Sequence, residues 1–374
     1  MKSPLKVLTV IGTRPEAIKM APVIMRLKET PGIESRLCVT AQHREMLDQV
    51  LALFQLEPDV DLNLMTVNQT LPQLTASLLE TMSEVLKKES PDWVLVQGDT
   101  TTVMATALSA FYANVRVGHV EAGLRSHDRY APYPEEINRR IATLLSDLHF
   151  APTTLARENL LKEGVSEKNC IVTGNPVIDA LQWIAKQPFE VKGSVLEGIP
   201  FETKRIVLVT AHRRENYGKP LEDICDALIE ISELFGESVQ IVYPVHLNPQ
   251  VRNTVMKKLA GRPAISLLDP LDYRSLIYLL GKATLVLTDS GGLQEEAPGL
   301  GVPVLVLRTV TERPEGIASG NLKIVGAVKE DIVRETKRLL LDESARLKMS
   351  NAANPYGDGH AAERIVDALL KSNS

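Results

Sequence analysis

Three carboxylates in the first half of the chain follow apolar, strand-like segments or begin a helical one. Asp99 closes the segment DWVLVQGD, Glu121 follows VRVGHV, and Glu135 lies in YPEEINRR. Carboxylates that lie close together repel one another, which raises the proton affinity of at least one and suits it to acid or base catalysis near neutral pH. Each also has a structural alternative, since Asp99 is a good helix N-cap and Glu135 favours a helix N-terminus. The residues alone leave both interpretations open.

The turn after the first strand-like segment carries two cations. In GTRPEAIKMAP, Gly12 permits a tight turn, and Arg14 and Lys19 supply positive charge at the start of a helix. This pattern predicts an anion site, although solvated charges at a helix start would have the same spacing. The later glycines of the dinucleotide fingerprint GxGxxG are missing, as is the GKS or GKT of a P-loop, so neither of those sites is predicted.

A histidine beside arginines follows a strand-like segment in the second half. TAHRREN places His212 next to Arg213. An imidazole beside guanidinium groups is well suited to a phosphate oxygen, as a donor or as a proton source for a leaving group. His246, in YPVHLNP, occupies the same place one strand later. Either histidine could be a structural hydrogen-bonding residue, but the neighbouring arginines favour anion binding for His212.

The segment LVLTDSGGLQEEAPGLG predicts a diphosphate site. Ser290, Gly291 and Gly292 are predicted to form a bare turn after a strand. The helix that follows would present backbone N–H groups and the positive end of its dipole to an anion. Glu295 and Glu296 lie on that helix, where a carboxylate can accept both hydroxyls of a ribose. One half of the chain therefore offers carboxylates, and the other offers phosphate and ribose contacts.

The elements that must position these residues alternate along nearly the whole chain. Short apolar, β-branched segments separate longer helical patterns, which is typical of an α/β protein with parallel sheets covered by helices. Strands are predicted at 7–11, 37–40, 93–97, 115–120, 149–150 and 171–172, and, after the polar stretch 186–200, at 206–210, 239–243, 265–268, 285–288 and 304–307. In open α/β sheets ligands bind beyond the carboxyl ends of the strands, which is where the chemically interesting residues stand.

The bulk properties of the chain indicate a soluble, cytoplasmic protein of two domains. Its 374 residues exceed what one hydrophobic core usually supports, and 44% hydrophobic and 24% charged residues are ordinary globular values. A net charge of -5 with mixed signs argues against nucleic acid or an anionic membrane as a partner. The three widely spaced cysteines argue against a disulfide framework or a metal cluster. The first apolar segment is too short for a secretory signal, and no stretch is long enough to span a membrane.

The number and order of these motifs closely resemble bacterial non-hydrolysing UDP-N-acetylglucosamine 2-epimerases. The matching segments cover almost the full chain: GTRPEAIKMAP, AQHREMLDQ, QGDTTT, GHVEAGLRS, PEEINRR, TAHRREN, YPVHLNP, TDSGGLQEEAP and NPYGDG. The resemblance implies a GT-B fold, in which two Rossmann-like domains with parallel sheets face a central cleft. It implies a first domain at 1–185, a second at 186–354, and a C-terminal helix at 355–374 that crosses back onto the first. It also implies a homodimer that uses no metal and no other cofactor.

The resemblance further implies epimerisation at carbon 2 of the sugar, by elimination of UDP to 2-acetamidoglucal and its re-addition. The product would supply N-acetylmannosamine units for cell-surface polysaccharides. Proton transfer in two directions requires more than one carboxylate, and departure of UDP requires cations and dipoles near the diphosphate. The implied catalytic residues are Asp99, Glu121, Glu135 and His212. The implied substrate-binding residues are Arg14, Lys19, Ser290, Gly291, Gly292, Glu296 and Arg313.

A second UDP-N-acetylglucosamine, bound beside the first as an allosteric activator, is implied because AQHREMLDQ and YPVHLNP are intact. The residues of that site would be Gln42, His43, Gln49, Glu136, Arg213 and His246. In the loop that faces uracil, Leu271 and Leu276 stand where some relatives have a polar residue and an aromatic one, so the chain departs from the family pattern there. Three alternatives stay open: the hydrolysing branch of the family, which releases N-acetylmannosamine and UDP, a GT-B glycosyltransferase, and a nucleotide-sugar sensor without turnover.

Overall fold

The computed structural model describes residues 3–40, 44–64 and 69–373, which divide into two compact units. The first unit comprises Met1–Ala180 and Tyr356–Ser374, and the second comprises Leu181–Pro355. Each unit contains one sheet in which every strand pairs in parallel with its neighbours, and helices connect the strands. The predicted α/β class with two Rossmann-like parallel sheets is therefore confirmed.

The first unit is built on a seven-stranded sheet of order β3-β2-β1-β4-β5-β6-β7. Its strands are β1 Leu5–Ile11, β2 Ile33–Val39, β3 Val60–Asp61, β4 Trp93–Gln97, β5 Arg116–Val120, β6 Leu148–Ala151 and β7 Cys170–Val172. Its helices are α1 Arg14–Glu29, α2 Arg44–Leu53, α3 Leu71–Glu89, α4 Thr101–Tyr112, α5 Glu135–Leu145, α6 Thr154–Lys162 and α7 Pro176–Ala185, the last of which contains the boundary between the units.

The second unit repeats this plan with a six-stranded sheet of order β10-β9-β8-β11-β12-β13. Its strands are β8 Arg205–Thr210, β9 Val239–Pro244, β10 Ile265–Leu268, β11 Ala283–Thr288, β12 Val304–Val306 and β13 Leu322–Ile324. Its helices are α8 Lys219–Phe235, α9 Pro249–Leu259, α10 Tyr273–Lys282, α11 Gly291–Gly299, α12 Pro314–Ser319, α13 Lys329–Leu341 and α14 Glu343–Ser350, and the chain ends in α15 Ala361–Ser372.

Apolar strands form the centre of both sheets. Leu8, Val94 and Val117, from three neighbouring strands of the first sheet, are buried in one core cluster, and Val207 and Ile241 belong to the corresponding cluster of the second unit. Strands of parallel sheets are buried on both faces, which explains their nearly continuous apolar sequences. Burying each of these side chains contributes roughly 1.5–3 kcal/mol. All eleven predicted strands are present, and most of them are central strands of their sheets.

Two strands escaped prediction, and both lie at sheet edges. Val60–Asp61 is half exposed, and Leu322–Ile324 has an exposed lysine at its centre. Neither segment has the length or the apolar composition that marks a strand in the sequence.

The helix α15 belongs to the first unit, where it packs against α1. Its first turn is held by Asp179, whose carboxylate accepts the N–H groups of Ala361 at 3.2 Å and Ala362 at 2.8 Å. Carboxylates at a helix N-terminus satisfy backbone donors that have no partner within the helix. In the part of the chain that the structure describes, no helix has both the length and the apolar character needed to cross a membrane.

Two buried histidines stand side by side in the first sheet. His119 on β5 and His149 on β6 are partners in the strand register and are 0% and 1% exposed. His119 donates from Nε2 to the carbonyl oxygen of Gly98 at 2.7 Å, so it tethers the loop after β4. Burial lowers the pKa of both imidazoles from 6.5 to about 4, so both are neutral in the folded protein at physiological pH.

The lowered pKa values of His119 and His149 predict that the protein loses stability in acid. Between pH 6.5 and 4 the unfolded chain takes up protons that the folded protein does not, so the free energy of unfolding falls as pH falls. The loss is on the order of 2 kcal/mol per histidine by pH 5. In His149→Gln, the decrease in unfolding free energy between pH 7.5 and pH 5 should therefore be smaller by about that amount. Urea unfolding at both pH values measures the difference.

The matched control is His127→Asn, which replaces an exposed histidine in a backbone conformation (φ +62°) that asparagine tolerates. It should keep the pH dependence of the wild-type protein. Other titrating groups cancel in the comparison because both variants retain them. An unchanged acid dependence in His149→Gln would contradict the argument.

Candidate functional site

The candidate site residues of the two units lie at equivalent places in the two sheets. In each sheet the chain order reverses between two central strands, β1 and β4 in the first unit and β8 and β11 in the second. Open α/β sheets bind ligands beyond the carboxyl ends of their strands at such a switch point. Arg14 and Asp99 follow β1 and β4, and His212 and Ser290 follow β8 and β11. Each unit therefore has its own candidate site at its switch point.

The Asp99 carboxylate is held by a cation and does not cap a helix. The N-cap of α4 is Thr100, whose side chain accepts the N–H of Val103, so the capping alternative for Asp99 is wrong. Asp99 instead accepts a hydrogen bond at Oδ2 from Arg139 Nη2 at 2.5 Å, and its carbonyl oxygen accepts one from Asn138 at 2.9 Å. Both partners lie on α5. With 27% of its side chain exposed, Asp99 stays accessible to solvent or a ligand.

The Glu121 carboxylate is buried and heavily hydrogen-bonded. Lys19 Nζ lies 2.7 Å from both of its oxygens, Asn175 Nδ2 donates to Oε1 at 3.0 Å, and Gln97 Nε2 donates to Oε2. Because every one of these atoms is a donor, the arrangement stabilises the ionised form of Glu121. Lys19 thus neutralises a protein carboxylate, a role that the sequence did not reveal, and Gln97 and Asn175 were missed altogether.

The backbone of Glu121 is strained. Its φ of +62° places it in the left-handed region, which residues with side chains other than asparagine and aspartate rarely adopt. Such conformations cost about 1–3 kcal/mol and cluster at active sites and ligand-binding sites. The strain is compensated by the donors around the carboxylate, which fix the direction of the side chain.

The start of α1 is occupied by a carboxylate of the protein itself. Glu16 Oε2 accepts the N–H of Gly12 at 2.5 Å and of Thr13 at 3.3 Å, which completes a capping box. Burial raises the pKa of Glu16 to about 7, although these hydrogen bonds oppose the rise. Arg14 is exposed and has no hydrogen bond or ion pair with any described residue. The anion site predicted at this turn therefore depends on Arg14.

Glu135 and Glu136 begin α5, as the sequence predicts, but their environments differ. Oε2 of Glu135 is buried and has no hydrogen-bond partner among the residues described. Glu136 is 0% exposed and accepts hydrogen bonds from the Ser126 N–H at 3.0 Å and from Arg139 and Arg140 at 3.3 Å each.

Burial would raise the pKa of Glu136, but the Ser126 hydrogen bond and the charge of Arg139 outweigh it and lower the pKa. Since Arg139 also contacts Asp99, it bridges a predicted catalytic carboxylate and a residue predicted to bind the activator. Glu136 would have to leave these partners to contact a ligand.

In the second unit, His212 lies between a buried carboxylate and a second imidazole. Its Nδ1 is 3.6 Å from Asp289 Oδ1, and its ring stacks on that of His246 with centroids 5.2 Å apart. Burial lowers the pKa of His212, and His246 and Arg213 lower it further, while Asp289 opposes them. His212 is therefore neutral near pH 7. His246, assigned by resemblance to the activator site, is thus in contact with a residue assigned to catalysis.

The sequence predicts a diphosphate site at the N-terminus of α11. Ser290 is the N-cap, and its side chain makes no capping hydrogen bond. Gly291 and Gly292 form the first turn of the helix itself, so the bare turn predicted before the helix is wrong. A Cβ on Gly291 would stand 3.7 Å from Nη2 of Arg213, which places that guanidinium beside the helix start. Backbone donors, helix dipole and guanidinium together favour an anion here.

The two glutamates of α11 have separate partners. Glu295 accepts a hydrogen bond from Nε of Arg313, and Glu296 Oε1 accepts one from the hydroxyl of Tyr273 at 2.9 Å. Both carboxylates are largely buried. Both glutamates therefore already have hydrogen-bond partners within the second unit.

The remaining predicted residues lie on α2, near the start of α10, or outside the described residues. Gln49 is exposed on α2, and Gln42 and His43 lie outside the described residues. Leu271 and Leu276 are half-buried at the start of α10. Among the residues that the structure describes, no group of three or more His, Cys, Asp and Glu side chains is arranged to hold a metal ion.

Comparison with known proteins assigns the family. The family model described as UDP-N-acetylglucosamine 2-epimerase matches residues 25–370. The chain is 51% identical over 370 residues to the UDP-N-acetylglucosamine 2-epimerase of Escherichia coli K12, covering 98% of both chains. It belongs to the UDP-N-acetylglucosamine 2-epimerase family.

Solved structures of UDP-N-acetylglucosamine 2-epimerases share the fold over nearly the whole length. The Neisseria meningitidis enzyme bound to UDP-GlcNAc is 46% identical with a TM-score of 0.87, covering 98% of this chain and 100% of that one. The Methanocaldococcus jannaschii enzyme in complex with UDP-GlcNAc and UDP is 36% identical with a TM-score of 0.79 and the same coverage. The GT-B-like fold class of these epimerases is therefore shared.

Arg139 contacts both Asp99 and Glu136, so its replacement tests how the Asp99 carboxylate is held. Arg139→Met removes the cation that contacts Asp99, so the carboxylate loses both its orientation and its neighbouring charge. We expect the turnover of UDP-N-acetylglucosamine to fall by about 100-fold, the scale typical of a misplaced reacting group. Steady-state kinetics on the purified variant measures the effect.

Arg140→Met is the control, because Arg140 also pairs with Glu136 but makes no recorded contact with Asp99 among the described residues. Its turnover should stay within about threefold of wild type, because Arg140 itself is exposed and Glu136 keeps its hydrogen bonds from Ser126 and Arg139. Equal losses in the two variants would show that Arg139 acts through Glu136 and not through Asp99.

Proposed function

We propose that the protein is a non-hydrolysing UDP-N-acetylglucosamine 2-epimerase that interconverts UDP-N-acetylglucosamine and UDP-N-acetylmannosamine. The comparisons support UDP-N-acetylglucosamine 2-epimerase activity. The observation that carries the finer proposal is the pair of carboxylates after neighbouring strands β4 and β5, Asp99 and Glu121, each bonded to a cation of its own.

The proposed reaction is an elimination followed by an addition. A carboxylate removes the proton from carbon 2 as the bond from carbon 1 to the UDP oxygen breaks, giving 2-acetamidoglucal and UDP. UDP then adds back to carbon 1 while a proton arrives on the opposite face of carbon 2. Asp99, Glu121 and Glu135 form the proposed acid and base set, because two directions of proton transfer require more than one group.

The second unit is proposed to bind UDP. Negative charge develops on the diphosphate as UDP leaves, and the first turn of α11, Arg213 and His212 are suited to stabilise it. Glu296 is proposed to accept the ribose hydroxyls, while Arg14 of the first unit and Arg313 of the second provide further positive charge. No cofactor is needed, since proton transfer and leaving-group stabilisation suffice.

The proposal also covers the roles of the two domains, the oligomeric state, the pathway and the activator site. Residues 1–185 with 355–374 are proposed as the carboxylate-bearing domain and 186–354 as the UDP-binding domain. The protein is proposed to be a cytoplasmic homodimer that supplies N-acetylmannosamine units for cell-surface polysaccharides. A second UDP-N-acetylglucosamine is proposed to activate it at Gln42, His43, Gln49, Glu136, Arg213 and His246.

Proton NMR of the protein with UDP-N-acetylglucosamine in deuterium oxide tests the reaction. We expect UDP-N-acetylmannosamine to appear with deuterium at carbon 2, because the proton returned to the sugar comes from solvent. Free N-acetylmannosamine with UDP would identify the hydrolysing branch instead. Absence of both exchange and product would contradict the proposal and leave a transferase or a sensor.

The acid and base set is tested by Asp99→Asn and Glu121→Gln. Each should lower the rate of deuterium incorporation by about 1,000-fold, within the range attributed to general acid–base catalysis, while UDP binding changes by only a few-fold. Glu158→Gln removes an exposed carboxylate on α6 and serves as the control, with a normal rate expected. Near-normal rates in both Asp99→Asn and Glu121→Gln would contradict this mechanism.

Activation is tested by the dependence of rate on substrate concentration. We expect a sigmoidal curve for the wild-type protein and a loss of sigmoidal shape in Gln49→Ala, whose exposed position on α2 makes a folding defect improbable. Glu57→Ala, another exposed substitution in the first unit, should keep the sigmoidal curve. A hyperbolic curve for the wild-type protein would argue against an activator site.

A further inference from the structure

Asp289 is a fully buried carboxylate directly beyond β11, beside the strand that leads to His212. One of its oxygens, Oδ2, accepts three hydrogen bonds: from the N–H of His212 at 2.9 Å, the N–H of Arg213 at 2.8 Å and Nδ2 of Asn216 at 2.9 Å. Asp289 is 0% exposed. These bonds fix the backbone turn that carries His212, and they occupy only one side of the carboxylate.

The other oxygen of Asp289 faces the His212 ring. Oδ1 is buried, has no hydrogen-bond partner among the described residues, and lies 3.6 Å from Nδ1 of His212. A buried acceptor without a donor destabilises the folded protein. A shift of a few tenths of an ångström would bring Nδ1 within hydrogen-bonding range, so His212 is suitably placed to satisfy this oxygen.

Stacking against His246 restricts the orientation of the plane of the His212 ring. The two imidazoles are stacked with an interplanar angle of 11°. His246 accepts the N–H of Asn248 at Nδ1, 3.1 Å away, so its neutral form carries its proton on Nε2. The His212 ring is thus confined in plane by His246 and directed along that plane by Asp289.

We propose that Asp289 is a positioning residue for His212, holding the proton of the neutral ring on Nδ1 and leaving Nε2 as the basic nitrogen for an anionic ligand. The inference rests on the proposed function only in naming that ligand as the diphosphate of UDP. When the diphosphate binds, Nε2 takes up a proton from solvent and donates it in a hydrogen bond to a phosphate oxygen. Asp289 then accepts from Nδ1–H and balances the charge of the imidazolium, as carboxylates paired with catalytic histidines do.

The tautomer of His212 is directly measurable by ¹H–¹⁵N correlation of protein labelled with ¹⁵N-histidine. The His212 signals are assigned by their absence in His212→Gln. We expect the Nδ1–H form for the wild-type protein without ligand near pH 7.5, and an imidazolium pattern after saturation with UDP. An Nε2–H form in the ligand-free wild-type protein would overturn the proposal.

Asp289→Asn tests the role of the carboxylate itself. The amide oxygen of asparagine can still accept the backbone N–H groups of residues 212 and 213, while its NH₂ group would face Nδ1. Nδ1 must then become an acceptor, so His212 should change to the Nε2–H form. UDP should no longer produce the imidazolium pattern, and turnover should fall by about 100-fold or more, as expected when a histidine is held in the wrong tautomer.

Asn216→Ser is the matched control. It removes a donor from Oδ2 of the same carboxylate but leaves Oδ1 facing His212, so the Nδ1–H form should persist even if stability decreases. An unchanged tautomer in Asp289→Asn, or normal turnover in that variant, would contradict the positioning role.

The NMR measurement of the His212 tautomer does not depend on which reaction the protein catalyses. If no epimerisation is found but the tautomer changes as expected in Asp289→Asn, the proposed function fails and the inference about Asp289 holds. If epimerisation occurs but the tautomer stays the same, the inference fails and the proposed function holds.

Discussion

The hydrogen bonds to the Glu121 carboxylate connect four segments of the first unit. Lys19 comes from α1, Gln97 ends β4, and Asn175 precedes α7, so one carboxylate joins segments that are distant in sequence. A buried carboxylate is stable only when it is paired and hydrogen-bonded, which makes the three donors mutually dependent. They also hold Glu121 in its left-handed backbone conformation, and thereby the direction of the chain after β5.

Asp99 and Glu121 are neighbours at the same sheet edge, but their surroundings suit them to different tasks. Glu121 has donors on both oxygens and is almost fully buried, whereas Asp99 has one ionic partner on Oδ2 and a partly exposed side chain. A proton on Glu121 would displace a donor from one of its oxygens and weaken the pairing with Lys19, whereas the Asp99 carboxylate has a single ionic partner among the described residues. Two carboxylates whose environments differ in this way favour separate roles in acid–base chemistry.

The sequence predicted the positions of the charged residues better than their partners. Apolar segments reveal central parallel strands, and the residues just after them are then placed by the topology, which is why Asp99, Glu121, His212 and Ser290 could be found. Asn175 lies 54 positions from Glu121 and has no local pattern, and nothing in the sequence indicates that Lys19 neutralises a protein carboxylate. The partners depend on side-chain packing across several elements, and periodicity carries no information about that.

Asp99 and Asp289 show how partners decide the role of a residue at equivalent positions. Each aspartate follows the fourth strand of a 3-2-1-4 arrangement and immediately precedes the N-cap of the next helix, Thr100 or Ser290. Asp289 receives two backbone N–H groups and an amide on one oxygen, so it stabilises the turn that carries His212. The bond that Asp99 receives from a cation on α5 does not fix a turn in this way, so its carboxylate stays accessible. Topology alone therefore provides a carboxylate at the switch point, and the donors around it determine whether it serves the scaffold or the ligand.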